Sequence, residues 1–247
     1  MTATLIACAH GTRSEQGRAS IDALRARIAA LVPDVPVAEA YVDVHGPELD
    51  DVASAPRAQG AVIVPLLLST GFHTEVDIRR AALAGTNVSV ARALGPHPLL
   101  ADVLADRALA AGADPTWPLV IAAAGSSDAR ARDDVDAIRA LVEERWEGPV
   151  TVGFVAAMAP TVSEAVASAA AHGGPVAVAT YLLAPGHFAD LVAGTGGAVT
   201  SAPLGDDPRI ARVAVQRYAE ALGSPASEPS VPGASASRAS DPSSTSA

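Results

Sequence analysis

LIACAHGTRS at residues 5–14 returns as VIAAAGSSDA at residues 120–129, and reading that pair decides the fold. Each is a short, unbroken apolar run that ends in a polar turn containing glycine. An unbroken run, in place of alternation, marks a strand buried on both faces of a parallel sheet. Working outward, further pairs keep the same order. IDALRARIAAL from Ile21 matches VDAIRALVEER from Val135. VAEAYVDVHGPELDDVASA matches VTVGFVAAMAPTVSEAVASA, PLLLSTGFH matches TYLLAPGH, and ALGPHPLLADVLADR matches PLGDDPRIARVAVQR. Five blocks in one order, at a shift of about 110 to 115 residues, mean an internal duplication.

Each half reads as four strands alternating with four helices. In the first half the strands are expected over 3–9, 37–44, 61–68 and 88–93, and the helices over 20–31, 48–54, 75–83 and 98–111. Ile21, Leu24, Ile28 and Leu31 fall on one helical face. Pro47 suits a helix N-terminus. The second half repeats the scheme over 119–222. Alternating elements predict an α/β fold of two tandem repeats, each a small parallel sheet flanked by helices. Residues 1–113 form the first repeat and 118–222 the second. The segment 114–118, with two prolines and a Trp, is the linker. Residues 224–247 are rich in Ser, Ala and Pro without apolar periodicity, and are expected to be a disordered tail.

Composition narrows the function. Of 247 residues, 49% are hydrophobic and 3% aromatic, so Ala and Val fill much of the core. A formal net charge of −10 argues against a nucleic-acid partner. It leaves room for a small substrate held by a local basic patch. The single cysteine, Cys8, excludes an intrachain disulfide and reads as a packed thiol. No apolar stretch is long enough to span a bilayer and no signal peptide is visible, so a cytoplasmic protein without a membrane partner is expected.

In open parallel sheets, ligands bind outside the carboxyl ends of the strands. His10 ends the first strand, Asp43 and His45 follow the second, and His73 follows the third. Two imidazoles at neighbouring strand ends suit a first-row divalent metal, and each also accepts a proton near neutrality. Asp43 reads equally as a metal-supporting carboxylate and as a solvated loop residue. His45 is expected to shape its turn. His97, in GPHP, is expected to be a surface turn residue, with Asp207 as its counterpart, and His172 a helix end. AHG resembles the RHG of histidine phosphatases, but Ala9 stands where the phosphate-binding Arg would be. GTGGAVT from Gly194 does not follow a strand, so it is no phosphate loop.

HGTR after a first strand, a second strand ending shortly before a proline, and then VPLLLSTGFHTEVDI resemble the class II chelatases of siroheme and cobalamin synthesis. These sirohydrochlorin ferrochelatases and cobaltochelatases occur as one-repeat dimers and as fused two-repeat chains. The resemblance covers nearly everything outside the tail. It implies that His10 and His73 are the metal-binding and catalytic histidines, and that Asp43 stands where the family often has Glu. In the second half the first His is lost, Ala156 replaces Asp43, and His187 alone corresponds to a family His. The resemblance also implies an active cleft between the two repeats, in which the second repeat is catalytically degenerate and completes the wall.

The function so implied is insertion of Fe²⁺ into sirohydrochlorin, with the metal as substrate, no permanently bound cofactor, and the chain acting as a monomer. Cobalt insertion for cobalamin, or a non-catalytic tetrapyrrole or metal carrier, is the alternative. A polyanionic ring requires cations in the cleft of this acidic protein. Arg13, beside the HGT motif, is the first choice, ahead of the helical Arg79 and Arg80. His187 is expected to help grip the ring.

Overall fold

The computed structural model of the protein describes residues 2–69, 71–171 and 173–223, with side chains described for all of these but 72–75. The expected tail, 224–247, and His172 lie outside the described residues. The first repeat runs β1 (Thr4–Ala9), α1 (Glu15–Leu31), β2 (Val37–Tyr41), α2 (Leu49–Ser54), β3 (Ala61–Pro65), α3 (Phe72–Ala84), β4 (Val88–Val90) and α4 (Pro98–Ala110). The second runs β5 (Leu119–Ala123), α5 (Arg130–Glu143), β6 (Val150–Phe154), α6 (Val162–Ala170), β7 (Ala177–Tyr181), α7 (His187–Ala193), β8 (Val199–Thr200) and α8 (Pro208–Ala221).

Several boundaries differ from expectation for local reasons. Helix α1 starts at Glu15, because the Ser14 hydroxyl caps it by accepting from Gly17 N at 3.1 Å. Strand β2 stops at Tyr41. Beyond it the chain turns through Val44 at φ 74°, and the Asp43 carboxylate accepts from Val44 N at 2.6 Å. Pro47 is not the first helical residue: Glu48 is the N-cap of α2, and the Pro47 carbonyl accepts from Tyr41 N at 3.0 Å. Helix α3 begins at Phe72, directly after its N-cap Gly71.

Each repeat forms a four-stranded parallel sheet, ordered β2-β1-β3-β4 in the first and β6-β5-β7-β8 in the second. Strand residues alternate between two buried faces. Leu5, Ala7 and Ala9 of β1 and Leu119, Ile121 and Ala123 of β5 enter one core shared by both repeats. Ile6 and Cys8 point to the outer core of the first repeat, Val120 and Ala122 to that of the second. Cys8 is fully buried, and burial pushes its thiol up to about 12, so it stays a protonated packing group.

The repeats exchange their last helices. Helix α4 packs on β7 of the second sheet, α8 packs on β3 of the first, and α8 also lies along α1. The Tyr218 hydroxyl on α8 donates to the Ala3 carbonyl. Arg209 pairs with Asp106 at 2.6 Å and Arg27 with Asp206 at 2.8 Å across the same boundary. Such solvated pairs add little beside the apolar core. Among the described residues, no helix is long and apolar enough to cross a membrane.

Candidate active site

Strand order reverses between β1 and β3 in the first sheet and between β5 and β7 in the second. A crevice opens at such a switch point, because the connections on either side leave in opposite directions. The two crevices meet in one cavity of about 560 Å³, lined by residues of both repeats. That size lies within the roughly 300–1,000 Å³ typical of small-molecule sites. Its walls are mostly apolar. Leu66 and Tyr181 line it from the inner faces of the two halves. The fully buried Tyr181 donates its hydroxyl to the Leu68 carbonyl at 2.9 Å, and burial raises its pKa, so the phenol stays neutral.

His10 lines this cavity, immediately after β1, with an exposed imidazole. Its carbonyl accepts from Asp43 N at 3.0 Å, which ties the ends of β1 and β2 together. Gly11 permits the approach. Its φ is 102°, and a Cβ there would lie 2.1 Å from the Asp43 carbonyl oxygen. The second repeat reproduces this turn. Ala124 O accepts from Ala156 N at 3.0 Å, and a Cβ on Gly125, at φ 85°, would lie 1.9 Å from Ala156 O. Ala124 therefore stands in the place of His10. The first His is replaced, not deleted, and Ala156 does stand in the place of Asp43.

The other anticipated residues separate into wall and support. Asp43 is exposed and off the cavity wall, and its carboxylate is engaged by Val44 N. His45 packs on Tyr41 with ring centroids 4.0 Å apart, and Tyr41 lines the cavity. His45 Nδ1 is buried and makes no hydrogen bond among the described residues, while His45 N donates to Asp43 O at 2.9 Å. His97 is the N-cap of α4, its Nδ1 accepting from Leu99 N at 3.1 Å; Asp207 caps α8 in the same way.

Arg13 is exposed and does not line the cavity; Arg18 does. One turn into α1, Arg18 shares a helical face with Ile21, also on the wall. Sequence reading missed Arg18 because it began that helix at 20. It also missed Tyr41, Tyr181, Ser126 and Ser127, which a single unaligned chain does not mark out from other strand and loop residues. Arg80 pairs with Asp50 at 3.1 Å and Asp77 at 3.2 Å on the surface, whereas Arg79 lines a smaller neighbouring cavity.

His187 is the first residue of α7, behind its N-cap Gly186, and lines the cavity opposite His10's repeat. His73 is the second residue of α3, behind Gly71; its side chain lies outside the described residues. The strand ends fix the equivalence. Leu94 N donates to Leu67 O at 2.8 Å and Leu204 N to Leu182 O at 2.9 Å, so Gly71 matches Gly186. His187 then matches Phe72, and Phe188 matches His73. The two histidines are one helical residue apart, not equivalent. Among the described residues, no group of three or more His, Cys, Asp or Glu is placed to hold a metal ion.

The CbiX family model matches residues 4–111 and again residues 118–221. A stretch of 82 residues is 37% identical to a probable sirohydrochlorin cobaltochelatase of Halobacterium salinarum, covering 27% of this chain and 28% of that protein. The chain thus matches little more than a quarter of that relative's length. SirB from Bacillus subtilis, solved with Fe³⁺, superposes with a TM-score of 0.73 at 19% identity, over 90% of this chain and 98% of that one. This is a likeness of fold. CbiX, the terminal enzyme for biosynthesis of siroheme in denitrifying bacteria, superposes with a TM-score of 0.63 at 27% identity, over 85% and 97% of the two chains.

Proposed function

Because the chain belongs to the CbiX family, with one repeat at residues 4–111 and another at 118–221, we propose that it is a chelatase inserting a divalent metal ion into sirohydrochlorin. The observation that carries this reading is the apolar cavity between the two switch points, with His10 on one wall and His187 on the other. A flat macrocycle needs two apolar walls and one polar face from which a metal arrives. Duplication followed by loss of His10's counterpart, now Ala124, supplies that asymmetry.

Metallation exchanges two pyrrole N–H protons for one M²⁺. The ring enters between the repeats, and contacts along its faces and edges offset the bending that tilts nitrogen lone pairs toward the metal. His10 and His73 present the metal and accept the protons. A neutral imidazole does either, but one imidazole does not do both at once. Asp43 acts from behind, its main chain holding His10's and its charge compensating the arriving cation. His187 and Arg18 grip the ring, and Arg13 supplies positive charge near the mouth. One chain suffices, since the two repeats form both walls.

Iron is the first reading of the metal. The Halobacterium relative favours cobalt as the second. Ligand type does not separate them, because affinities for one donor set follow a general order and availability decides. The test is anaerobic incubation of the protein with sirohydrochlorin and Fe²⁺ or Co²⁺, followed by absorbance. Acceleration over the spontaneous reaction is expected, and the faster metal identifies the substrate. A rate equal to the spontaneous one, with the ring bound, makes the protein a tetrapyrrole carrier.

A further inference from the structure

The two repeats carry the same arginine and use it differently. Gly11 and Gly125 occupy equivalent turns, and Arg18 and Arg132 each stand seven residues beyond them. The turns between agree as well. Thr12 Oγ1 accepts from Ser14 N at 3.1 Å, and Ser126 Oγ accepts from Asp128 N at 3.0 Å. Tyr41 and Phe154 are also equivalent, because Tyr41 pairs with Ala9 and Phe154 with Ala123. Tyr41 N donates to the Pro47 carbonyl and Phe154 N to the Pro160 carbonyl, while His45 N donates to Asp43 O and Met158 N to Ala156 O. His45 therefore matches Met158, and Gly46 matches Ala159.

In the second repeat the arginine has a seat. The Arg132 guanidinium lies over the Phe154 ring, 4.7 Å from its centroid, and its Nη2 donates to the Ala159 carbonyl. The corresponding seat in the first repeat is the Tyr41 ring and the Gly46 carbonyl, and Arg18 does not take it. Tyr41 has His45 against its ring instead, with centroids 4.0 Å apart. His45 Nδ1 is buried without a hydrogen bond among the described residues, so ring packing rather than a bond at that atom holds the imidazole there. Arg18 is exposed and lines the main cavity, and its guanidinium makes no ion pair, hydrogen bond or ring contact with another described residue.

We propose that His45 is a positioning residue. By covering Tyr41 it denies Arg18 the seat that Arg132 takes, and so keeps that guanidinium in the cavity to bind an acidic substituent of the tetrapyrrole. This rests on the chelatase reading above. An arginine seated as Arg132 is would have to give up a ring contact and a hydrogen bond before it met a substrate, so the seat competes with binding. Arg18, without protein partners, offers its planar fork to both oxygens of a carboxylate. One copy of the duplicated arginine thus braces its repeat and the other binds.

The test compares the full chain with Arg18→Ala, Arg132→Ala, His45→Met, His45→Phe and the double variant Arg18→Ala/His45→Met. His45→Met installs the side chain that Met158 supplies in the second repeat. Equilibrium binding of metal-free sirohydrochlorin, followed by absorbance, is measured together with steady-state kinetics and urea midpoints. Arg18→Ala is expected to raise Kd about tenfold, the scale of one lost charged contact, with the urea midpoint unchanged. Arg132→Ala should do the reverse, lowering the midpoint and leaving Kd alone. His45→Met should raise Kd and KM several-fold with kcat nearly kept, and should add nothing in the Arg18→Ala background. His45→Phe, which keeps a ring on Tyr41, should bind as the wild type does. With a ring whose carboxyls are methyl esters, wild type and Arg18→Ala should bind alike.

No loss in His45→Met, or an equal loss with and without Arg18, overturns the positioning role. Unchanged affinity in Arg18→Ala, or an equal loss with the esterified ring, overturns the anion-binding role. A wild type that binds the ring without accelerating metallation refutes the chelatase reading, while the binding comparisons still decide both residues. A wild type that does not bind the ring overturns both.

Discussion

Arg107 and Arg217 each hold the opposite repeat. Arg107 Nη2, on α4, donates to the Leu204 carbonyl at 3.1 Å, and Arg217 Nη2, on α8, donates to the Leu94 carbonyl at 2.9 Å. Both carbonyls belong to the turn that leads from the fourth strand into the last helix of a repeat. The exchange of helices seen in the packing of α4 on β7 and α8 on β3 is thus closed by matched polar contacts. The match is unequal in depth. Arg217 is 3% exposed and also donates to Ala93 O at 2.9 Å and Pro96 O at 3.1 Å.

That inequality predicts a difference in stability. Arg217→Ala strips three main-chain carbonyls of a charged donor inside the core and should destabilise the protein by about 3 kcal/mol or more. Arg107→Ala removes one such bond at a half-buried site and should remove about 1 kcal/mol. Urea denaturation of the two variants measures both. Equal losses would mean that the buried network around Arg217 contributes no more than its outer counterpart.

His97 lies in the same region, and its effect depends on pH. Burial, then the Arg217 charge, holds its imidazole below the ordinary value of 6.5, against a raising contribution from Gln216 and Glu220 and a further lowering one from Arg92. A group with a depressed folded pKa favours the folded state above the unfolded pKa. As pH falls below about 6.5, the unfolded chain takes up the proton first and that contribution is lost. The urea midpoint should therefore fall from pH 7 toward pH 5 more steeply in the wild type than in His97→Asn. Asn keeps an N-capping oxygen, as Asp207 does in the other repeat, without titrating there. Parallel pH profiles would remove His97 from the account.

Much of this architecture was legible in the sequence, because the strands are unbroken apolar runs and the duplication preserves order. The register between the repeats was not. Ala122, Ala123 and Ala124 slide freely along Ala7, Cys8, Ala9 and His10, since small apolar residues carry no positional signal. Glycine carries it. Gly11 and Gly125 each sit at positive φ against a carbonyl of the second-strand loop. Aligning on them would have shown Ala124 in His10's place, and Gly71 with Gly186 would have separated His73 from His187. Helix α1 carries a helix-weakening residue, Gly17, in its first turn. There it is a contact: a Cβ would lie 2.6 Å from the Pro185 carbonyl of the other repeat. Arg13 is preferred in the sequence for its place beside the HGT motif, and that place carries no information on which side chain faces the cavity.

The paired glycines separate stability from activity. Gly11→Ala and Gly125→Ala each force a side chain into a left-handed backbone and against a carbonyl, and each should destabilise by about 1–3 kcal/mol. Only Gly11 adjoins a proposed metal-handling residue. Below the temperature at which either variant melts, Gly11→Ala should lose most chelatase kcat, because the His10 carbonyl is bonded to the loop that the new methyl displaces. Gly125→Ala, beside Ala124, should keep most of it. Similar kcat losses in both would argue against a one-sided active site.

The asymmetry is tested most directly at His73 and His187. Both open a helix behind a glycine that follows the third strand of a repeat, so a symmetric enzyme would use them alike. They are not alike in place. His187 stands where the first repeat has Phe72, and Phe188 stands where it has His73, so the two histidines occupy helical positions one residue apart. Nor are they alike in company. His73 shares its repeat with His10 and Asp43, whereas the same positions beside His187 are Ala124 and Ala156. A lone imidazole leaves most of a divalent charge uncompensated. His73→Ala should therefore lower kcat about 100-fold or more, the scale of a lost acid–base or ligand group. His187→Ala should raise KM for sirohydrochlorin several-fold while leaving kcat within about twofold, the pattern of a lost binding contact. Steady-state kinetics of both variants at saturating metal provide the test. Because His187 lines the same cavity as His10, the opposite result has a definite meaning. An equal loss of kcat in both variants would make His187 a partner of His10 across the cleft, and the metal would then be handled by both repeats.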